Sequence, residues 1–447
     1  VLSSSSGGPC MGAAIFFWSN ALDQGFTRDD HCGLPEAFRQ ADLPALAARE
    51  GTPLYVYAAP AIRQRVRALR EALSGLDAGI RYAVKANGNG AVLRLLAEEG
   101  AGADIVSGGE LERALRAGIA AADIVFSGVG KSDAEIALAL DVGIGRFNIE
   151  SRAELDAIQR IAAARGVTAV ASVRINPDVD AMTHAKISTG KAENKFGVSI
   201  AEARVWFDAK AQWPDVRLDG LHMHIGSQLL SLEPVREALA RMAAFWKELA
   251  AAGHAIASID VGGGLGVRYR EGEQAPDARE YADAIRQALA GFGGRILVEP
   301  GRWLVAEAGI VLTRVLLEKH GQARRFLVLD AAMNDLLRPS LYDAWHDIVP
   351  VGAAAARESA TYDVVGPVCE TGDTFATARE LPRCEAGDLV AILGAGAYGA
   401  SMGSTYNSRP LPAEVLVDGD RYAVVRRRQS LDEMLSGEQP ASDWRRT

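Results

Sequence analysis

The 447-residue chain has only four cysteines, Cys10, Cys32, Cys369 and Cys384, and none of them forms a Cys-x-x-Cys pair. So few, unpatterned cysteines exclude a disulfide framework and a thiolate zinc centre. They are typical of a reducing compartment, in which we expect free thiols, one of which could be catalytic. The sequence therefore predicts a cytoplasmic location and no metal site.

The chain also lacks an apolar stretch of transmembrane length and an excess of positive charge. It carries 48 Lys and Arg residues against 57 Asp and Glu residues, a formal net charge of −9. These properties argue against a membrane-spanning protein and against broad binding to nucleic acid or anionic membranes. They do not exclude a small basic pocket for a small-molecule substrate.

A recognisable targeting signal is missing as well. The chain starts with Val-Leu-Ser-Ser-Ser-Ser-Gly-Gly, and the short apolar patch at 13–18 has no basic region before it and no cleavage site after it. We expect residues 1–34 to be an N-terminal extension, either disordered or left over from cloning, and to take no part in the fold.

From residue 80 to residue 300, strand-like segments alternate with amphipathic helical ones. Eight such units match a closed (β/α)₈ barrel better than an open doubly wound sheet, and no G-x-G-x-x-G follows the first strand. Ser132 and Ser151 stand where N-caps are expected. The strand candidates are 81–85, 103–106, 123–126, 146–149, 170–176, 220–225, 258–261 and 295–299, and the helix candidates include 61–73, 110–117, 133–140, 152–165, 234–252 and 281–290.

After Arg302 the pattern changes to short strand-like runs separated by turn residues, which predicts an antiparallel β domain. Residues 52–57 are also strand-like and are expected to join it. The resulting division is an N-terminal strand segment at 35–58, a barrel at 59–307, a β domain at 308–435 and a tail at 436–447. The β-domain strands are expected at 310–318, 325–330, 361–365, 388–393, 413–417 and 422–426.

Polar residues and glycines cluster at the carboxyl ends of the predicted barrel strands, the face on which barrels carry their chemistry. Lys85 is the most informative, since a crowded amine loses part of its preference for the charged form and can attack an aldehyde. The alternative is an ordinary surface lysine. A long segment without periodicity, 177–198, is expected to be a functional loop on this face. The strand-end residues are Lys85, Ser107, Asn148, Arg174, His224, Gly262 and Glu299.

Three downstream segments suggest a pyridine cofactor with a phosphate. His224 could stack on an aromatic ring while Ser227 binds phosphate, although His224 could equally be a core histidine. The glycines at 262–264 could close their backbone amides around phosphate, or could simply form a tight turn. Glu299 could pair with a protonated pyridine nitrogen, or form a structural ion pair with Arg302.

The order and spacing of these motifs resemble the fold-type III PLP-dependent decarboxylases, and among them the diaminopimelate decarboxylases, over about residues 35–430. The resemblance implies a barrel plus β domain of the alanine racemase type and pyridoxal 5′-phosphate as cofactor. It also implies an obligate head-to-tail homodimer with active sites at the subunit interface. The matching stretches are 82–87, 183–184, 187–190, 193–197, 224–228, 262–266, 299–302, 369–373 and 396–399.

The same resemblance assigns roles. It implies that Lys85 holds the cofactor covalently, His224 stacks on its ring, Glu299 pairs with the pyridine nitrogen, and Cys369 is the proton donor. Cys369 and Glu370 are expected to come from the partner subunit. The other implied cofactor-binding residues are Asp104, Arg174, Ser227, Gly262, Gly263, Gly264, Pro300, Gly301, Arg302 and Tyr398, and the implied substrate-binding residues are Arg302, Arg338, Tyr342, Glu370 and Tyr398.

The two arginines favour one substrate. Arg302 and Arg338 can neutralise a distal carboxylate and Glu370 a distal ammonium, whereas ornithine or lysine would leave two guanidinium groups uncompensated. The implied reaction is decarboxylation of meso-2,6-diaminopimelate to L-lysine and CO₂, the last step of lysine biosynthesis. The alternatives are a fold-type III decarboxylase for ornithine, lysine, arginine or carboxynorspermidine, an amino-acid racemase, or a non-catalytic PLP-binding homologue.

Overall fold

The computed structural model describes residues 33–181, 189, 195–270, 272–441 and 444–445. Cys10 and Cys32, the Thr-His pair at 183–184 and most of the loop expected at 177–198 lie outside the described residues. Among the helices of the described ranges, none combines the length and the apolar character needed to cross a bilayer.

The first two thirds of the chain form the alternating part of the fold. In chain order its elements are α1 (Leu43–Glu50), β1 (Leu54–Ala58), α2 (Ala59–Ala72), β2 (Ala78–Ala83), α3 (Gly90–Glu98), β3 (Gly102–Ile105), α4 (Gly108–Arg116), β4 (Ile124–Phe126), α5 (Asp133–Val142), β5 (Arg146–Ile149), α6 (Arg152–Arg165), β6 (Ala169–Arg174), α7 (Ile200–Asp208), β7 (Val216–His222), α8 (Glu233–Ala251), β8 (Ser258–Asp260), α9 (Ala278–Ala288), β9 (Arg295–Val298) and α10 (Arg302–Val305).

Strands β2 to β9 pair in parallel, each with the next along the chain, and β9 returns to β2 to close the barrel. All eight strands predicted from the sequence are present. Ser132 forms a capping box with Glu135 at the start of α5, and Ser151 accepts a hydrogen bond from the Glu154 backbone amide at the start of α6. The predicted barrel and both predicted caps are confirmed.

The last third of the chain forms a second domain. Its elements are β10 (Gly309–His320), β11 (Arg325–Leu329), α11 (Arg338–Tyr342), β12 (Ile348–Val351), β13 (Ser359–Val365), β14 (Thr374–Pro382), β15 (Leu389–Ile392), β16 (Ala413–Asp418), β17 (Arg421–Arg426) and α12 (Leu431–Leu435). Strands β12 and β14 were not predicted from the sequence.

This domain is built on a sheet in the order β14-β13-β11-β10-β1-β16-β17, with β15 joining β10 to β12. Strand β1 lies inside this sheet between β10 and β16, antiparallel to the first and parallel to the second, so residues 54–58 pair with strands from the last third of the chain. Because β11 and β13 also pair in parallel, the sheet is mixed, not purely antiparallel as expected.

The β domain is tied to the carboxyl-terminal end of the barrel beside the turn that follows β2. The Tyr398 backbone amide donates to the Ala86 carbonyl at 2.7 Å, and the Asn87 side chain donates to the Gly396 carbonyl at 3.0 Å. These contacts place the 396–399 segment of the β domain next to Lys85.

Candidate active site

Lys85 lies in a single 3₁₀ turn, Val84–Ala86, immediately after β2. Its Nζ is 3.1 Å from Oδ2 of Asp104, a fully buried residue of the adjacent strand β3. Burial lowers the pKa of the amine, but Asp104, with smaller contributions from Tyr398 and Glu299, outweighs this effect, so the Lys85 pKa is raised. The expectation that crowding alone would weaken its preference for the charged form is therefore wrong for the cofactor-free site.

Glu299 follows β9 and is buried in a polar cluster. Its Oε1 accepts from the Asn148 side-chain amide at 3.2 Å, and its Oε2 is 3.2 Å from His222 Nε2. One ligand atom each of His222, Asp260 and Glu299 lies within 4.8 Å of the others. Burial, together with the charge of Asp104, raises the pKa of Glu299 to about 8. A carboxylate in this position is poised to take a cationic partner, whose charge would favour its ionised form.

His224 is two residues beyond the end of β7. Its Nδ1 accepts a hydrogen bond from the Gly263 backbone amide at 3.2 Å. Burial and the positive charges of Arg174 and Lys85 lower the pKa of His224 well below 6.5. The ring is therefore neutral and carries its proton on Nε2.

The glycine run after β8 is required by the packing of the strand ends. Gly262 has a φ of +71°, and a Cβ on it would lie 2.2 Å from the Met223 carbonyl oxygen. A Cβ on Gly263 would lie 2.1 Å from the carbonyl oxygen of Glu299. No side chain fits at either position, so the tight turn by itself explains why these residues are glycines. A phosphate-binding role is a separate hypothesis that this packing does not require.

Arg302 begins α10 and is buried between the two domains. Its Nη1 donates to Tyr269 Oη at 2.8 Å and its Nη2 to Ser227 Oγ at 3.0 Å. The guanidinium carbon is 4.7 Å from the centroid of the Tyr398 ring. No ion pair joins Glu299 and Arg302 in the described residues, so the alternative of a structural Glu–Arg pair is not supported.

Arg338 begins α11 and approaches the same tyrosine from the β domain. Its guanidinium carbon is 4.5 Å from the centroid of the Tyr269 ring, and its Nη1 is 2.8 Å from His346 Nε2. Burial, and to a smaller extent repulsion from Arg302, lower the pKa of Arg338. Tyr342, at the other end of the same helix, also contributes to the electrostatic environment of Arg302.

Arg174 ends β6 and contacts both a carboxylate and the backbone of His224. Its Nη1 pairs with Glu150 at 2.9 Å, and its Nη2 donates to the His224 carbonyl at 3.4 Å. The guanidinium carbon is 4.8 Å from the Phe196 ring centroid. Arg174 is therefore linked to the backbone of the segment that carries His224.

Cys369 and Glu370 lie apart from this group. Both are exposed, in the turn between β13 and β14, where the Cys369 backbone amide donates to the Asn407 side chain at 3.0 Å. Asp373 holds the turn by accepting from the Met333 and Val368 backbone amides, at 2.7 Å each. Within the described ranges, no hydrogen bond or ion pair links Cys369 or Glu370 to the barrel.

Sequence reasoning missed Tyr269, His346, His222 and Asp260. Only His222 left a usable signal, since it alternates with His224 at the end of a predicted strand. Tyr269 lies in a loop, and His346 has no motif around it that the sequence made visible.

Comparison with known proteins agrees with this geometry. Residues 60–306 match the family model of the pyridoxal-dependent decarboxylases, pyridoxal binding domain. The chain is 50% identical over 398 residues to the diaminopimelate decarboxylase of Pseudomonas aeruginosa, covering 89% of this chain and 95% of that protein. It is 47% identical over 406 residues to that of Zymomonas mobilis, covering 90% and 96%. The chain belongs to the diaminopimelate decarboxylase family.

The fold comparison extends the likeness to the β domain. The crystal structure of the Helicobacter pylori diaminopimelate decarboxylase complexed with L-lysine superposes with a TM-score of 0.85 at 46% identity. The match covers 88% of this chain and 98% of that one. The predicted family and fold class are confirmed.

The decarboxylase family depends on pyridoxal phosphate, and the residues present fit that cofactor. Lys85 supplies an amine at the mouth of the barrel and Glu299 a buried carboxylate. Asp104 Oδ1 and Arg302 Nε are buried without a hydrogen-bond partner among the described residues. A buried polar atom left unpaired is costly, so Asp104 Oδ1, on the residue that contacts Lys85, is a group that a polar cofactor atom would satisfy.

Proposed function

We propose that this chain catalyses the PLP-dependent decarboxylation of meso-2,6-diaminopimelate to L-lysine and CO₂. The observation that carries the proposal is a pair of buried guanidinium groups, Arg302 and Arg338, which both contact Tyr269. Neither has a carboxylate within 4.0 Å among the described residues, although both are at least nine-tenths buried. An unpaired buried charge is strongly unfavourable, so the pair is suited to an anion brought in by the substrate.

The barrel residues would bind the cofactor and control its charge. Lys85 would hold it covalently, His224 would lie against one face of its ring, and Glu299 would keep its pyridine nitrogen protonated. When bound, pyridoxal phosphate withdraws the electron pair that departing CO₂ leaves on the substrate carbon. The remaining proposed cofactor contacts are Asp104, Arg174, Ser227, Gly262, Gly263, Gly264, Pro300, Gly301, Arg302 and Tyr398.

The two arginines would select the substrate. After one end of diaminopimelate has reacted, the other end still carries a carboxylate and an ammonium group. Arg302 and Arg338, with Tyr342 and Tyr398, would bind that carboxylate, and Glu370 would bind the ammonium. Lysine and ornithine, bound for decarboxylation, offer no such carboxylate, so the buried charges would remain unpaired and their turnover would be slow.

The test measures CO₂ release from meso-diaminopimelate, L-lysine and L-ornithine by the PLP-loaded protein. We expect release from the first and little from the other two. Arg338→Gln should raise the KM for meso-diaminopimelate far more than it lowers kcat. Arg116→Gln, the same change at an exposed arginine of α4, is the matched control and should change neither. Equal turnover of the three amino acids by the unaltered enzyme would overturn the proposal.

We further propose that the enzyme is a head-to-tail homodimer with shared active sites. Cys369 and Glu370 are exposed and contact their own β domain, so neither completes the site of its own chain. In a head-to-tail pair, the turn of one protomer would reach the barrel of the other, where the Cys369 thiol would donate a proton to the carbon that has lost CO₂. Cys369 and Cys384 are free thiols, which agrees with the reducing, cytoplasmic location that we also propose.

Mixing two inactive variants tests the shared site. In a dimer formed from one Lys85→Ala and one Cys369→Ala protomer, one site carries both changes and the other carries neither. Under random subunit exchange, about half of the dimers are mixed, and each mixed dimer has one intact site of two. Activity should therefore return to about a quarter of the unaltered level, since a site that lacks either residue is inactive. Exchange demonstrated by mass spectrometry without any return of activity would show that Cys369 does not act across the interface.

A further inference from the structure

Two uncharged side chains, Tyr269 and His346, hold the two arginines of the proposed carboxylate site. We propose that Tyr269 and His346 are positioning residues for specificity, which fix Arg302 and Arg338 without neutralising them. The inference rests on the proposed function and deepens it, because it names what keeps the site positive before the substrate's distal carboxylate arrives.

His346 can only accept a hydrogen bond from Arg338, because its other ring nitrogen already donates its proton to a backbone carbonyl. Its Nδ1 lies 2.7 Å from the Leu393 carbonyl oxygen, which has no proton to give, so Nδ1 must be the protonated nitrogen. Nε2 therefore presents a lone pair to Arg338 Nη1 at 2.8 Å. Burial and the charge of Arg338 lower the pKa of His346 well below 6.5, which keeps the ring neutral.

Tyr269 contacts both arginines. Its hydroxyl accepts from Arg302 Nη1 at 2.8 Å, and its ring faces the Arg338 guanidinium. The ring also makes an edge contact with His346, with centroids 5.2 Å apart and planes at 70°. A single aromatic side chain thus fixes both guanidinium groups by a hydrogen bond and a cation–π contact, neither of which cancels a charge.

The other two buried arginines show the contrast. Arg81 pairs with Asp123 at 2.8 Å and Arg174 with Glu150 at 2.9 Å. Arginine prefers such carboxylate partners when buried, so Arg302 and Arg338 are the exceptions among the buried arginines of the described chain. Their Nε atoms are buried without partners there, as is Nε of Arg81, so it is the missing carboxylate that distinguishes the two. Arg302 and Arg338 both contact Tyr269, and their unpartnered N–H groups are available as donors to an incoming carboxylate.

A charge placed at position 346 would therefore change ligand choice. His346→Glu would give Arg338 an internal counter-ion, whereas His346→Gln has the same shape and no charge. The two variants are nearly isosteric, so their difference reports the added charge together with the loss of a donor toward the Leu393 carbonyl.

The experiment measures binding of L-lysine and of 1,5-diaminopentane to the PLP-loaded protein by calorimetry. L-lysine, the product, keeps the distal carboxylate, and 1,5-diaminopentane lacks it. We expect His346→Glu to bind L-lysine about 10-fold to 100-fold more weakly than His346→Gln, since a hydrogen-bonded charge pair is lost. Affinity for 1,5-diaminopentane should be the same in both variants, and the KM for meso-diaminopimelate should rise more than kcat falls.

Tyr269→Phe provides a second test if the glutamate variant does not fold. It keeps the ring and removes the acceptor for Arg302, and should weaken L-lysine binding about 2-fold to 10-fold without affecting 1,5-diaminopentane. Equal L-lysine affinities in the folded glutamate and glutamine variants, or a tyrosine variant with unchanged L-lysine binding, would overturn the inference. An unaltered enzyme that releases no CO₂ from meso-diaminopimelate while the variants still differ in L-lysine binding would overturn the proposed function instead.

Discussion

Replacing Glu299 by glutamine should slow decarboxylation while leaving the cofactor bound. The substitution preserves size but replaces one carboxylate oxygen by an NH₂ group. Because Asn148 donates to one oxygen at 3.2 Å and His222 Nε2 lies 3.2 Å from the other, the amide must face one of them with its NH₂ group. It also removes the negative charge that would favour a protonated pyridine nitrogen.

The expected fall in kcat follows from the loss of one charge-assisted contact in a buried site. Such contacts contribute about 1.5–3 kcal/mol, which corresponds to a fall in kcat of about 10-fold to 100-fold. Glu110→Gln is the matched control, because burial also raises the pKa of Glu110, to about 7, while its carboxylate accepts from the Val106 backbone. We expect the control to keep its kcat.

The cofactor-free protein gives an independent measurement. Burial raises the pKa of Glu299 from 4.5 to about 8, so the folded state binds a proton that the unfolded state has released. The stability contributed by this proton is fully present below pH 4.5 and is lost as pH rises to about 8, at up to about 1.4 kcal/mol per pH unit. The glutamine variant should lose part of this slope in denaturant titrations at pH 6, 7 and 8. An unchanged kcat, with a carbon isotope effect showing that CO₂ loss is rate-limiting, would refute the assignment.

Three further predictions concern separate parts of the molecule. Lys85→Ala should abolish both turnover and the borohydride-fixed cofactor label seen by peptide mass spectrometry, whereas Lys247→Ala should keep both; a fully active Lys85→Ala protein would contradict the assignment. Cys369→Ala should lower kcat about 10²-fold to 10⁴-fold with pyridoxal phosphate still visible by absorbance, the usual contribution of a positioned general acid; full activity would remove Cys369 from the reaction. Ser132→Ala should lower the free energy of unfolding by about 1 kcal/mol without changing kcat, because it removes the N-cap of α5; an unchanged denaturation midpoint would show that the cap is dispensable.

The sequence determined the architecture because the information for it is local. Hydrophobic periodicity distinguished eight strands from their helices, and a closed parallel barrel places every strand's carboxyl end on one face. That rule alone predicts that Lys85, His224 and Glu299 lie on the same face of the barrel. Strand β12 was missed because it is four residues long and contains Pro350, and β14 because its apolar and polar residues do not alternate regularly. The parallel pairing of β11 with β13 could not be predicted because strand pairing is not local.

The tertiary structure decided the chemistry around those residues. Whether Lys85 is charged depends on the balance between desolvation and Asp104, which lies on the neighbouring strand. Whether Glu299 pairs with Arg302 or with His222 depends on side-chain directions that spacing does not fix. Arg302 and Arg338 are held by two uncharged side chains, Tyr269 in a barrel loop and His346 in the other domain. The sequence alone thus determined which residues reach the active-site face, and only the folded chain determined their charges and partners, because electrostatics and burial depend on distances between residues that are far apart along the chain.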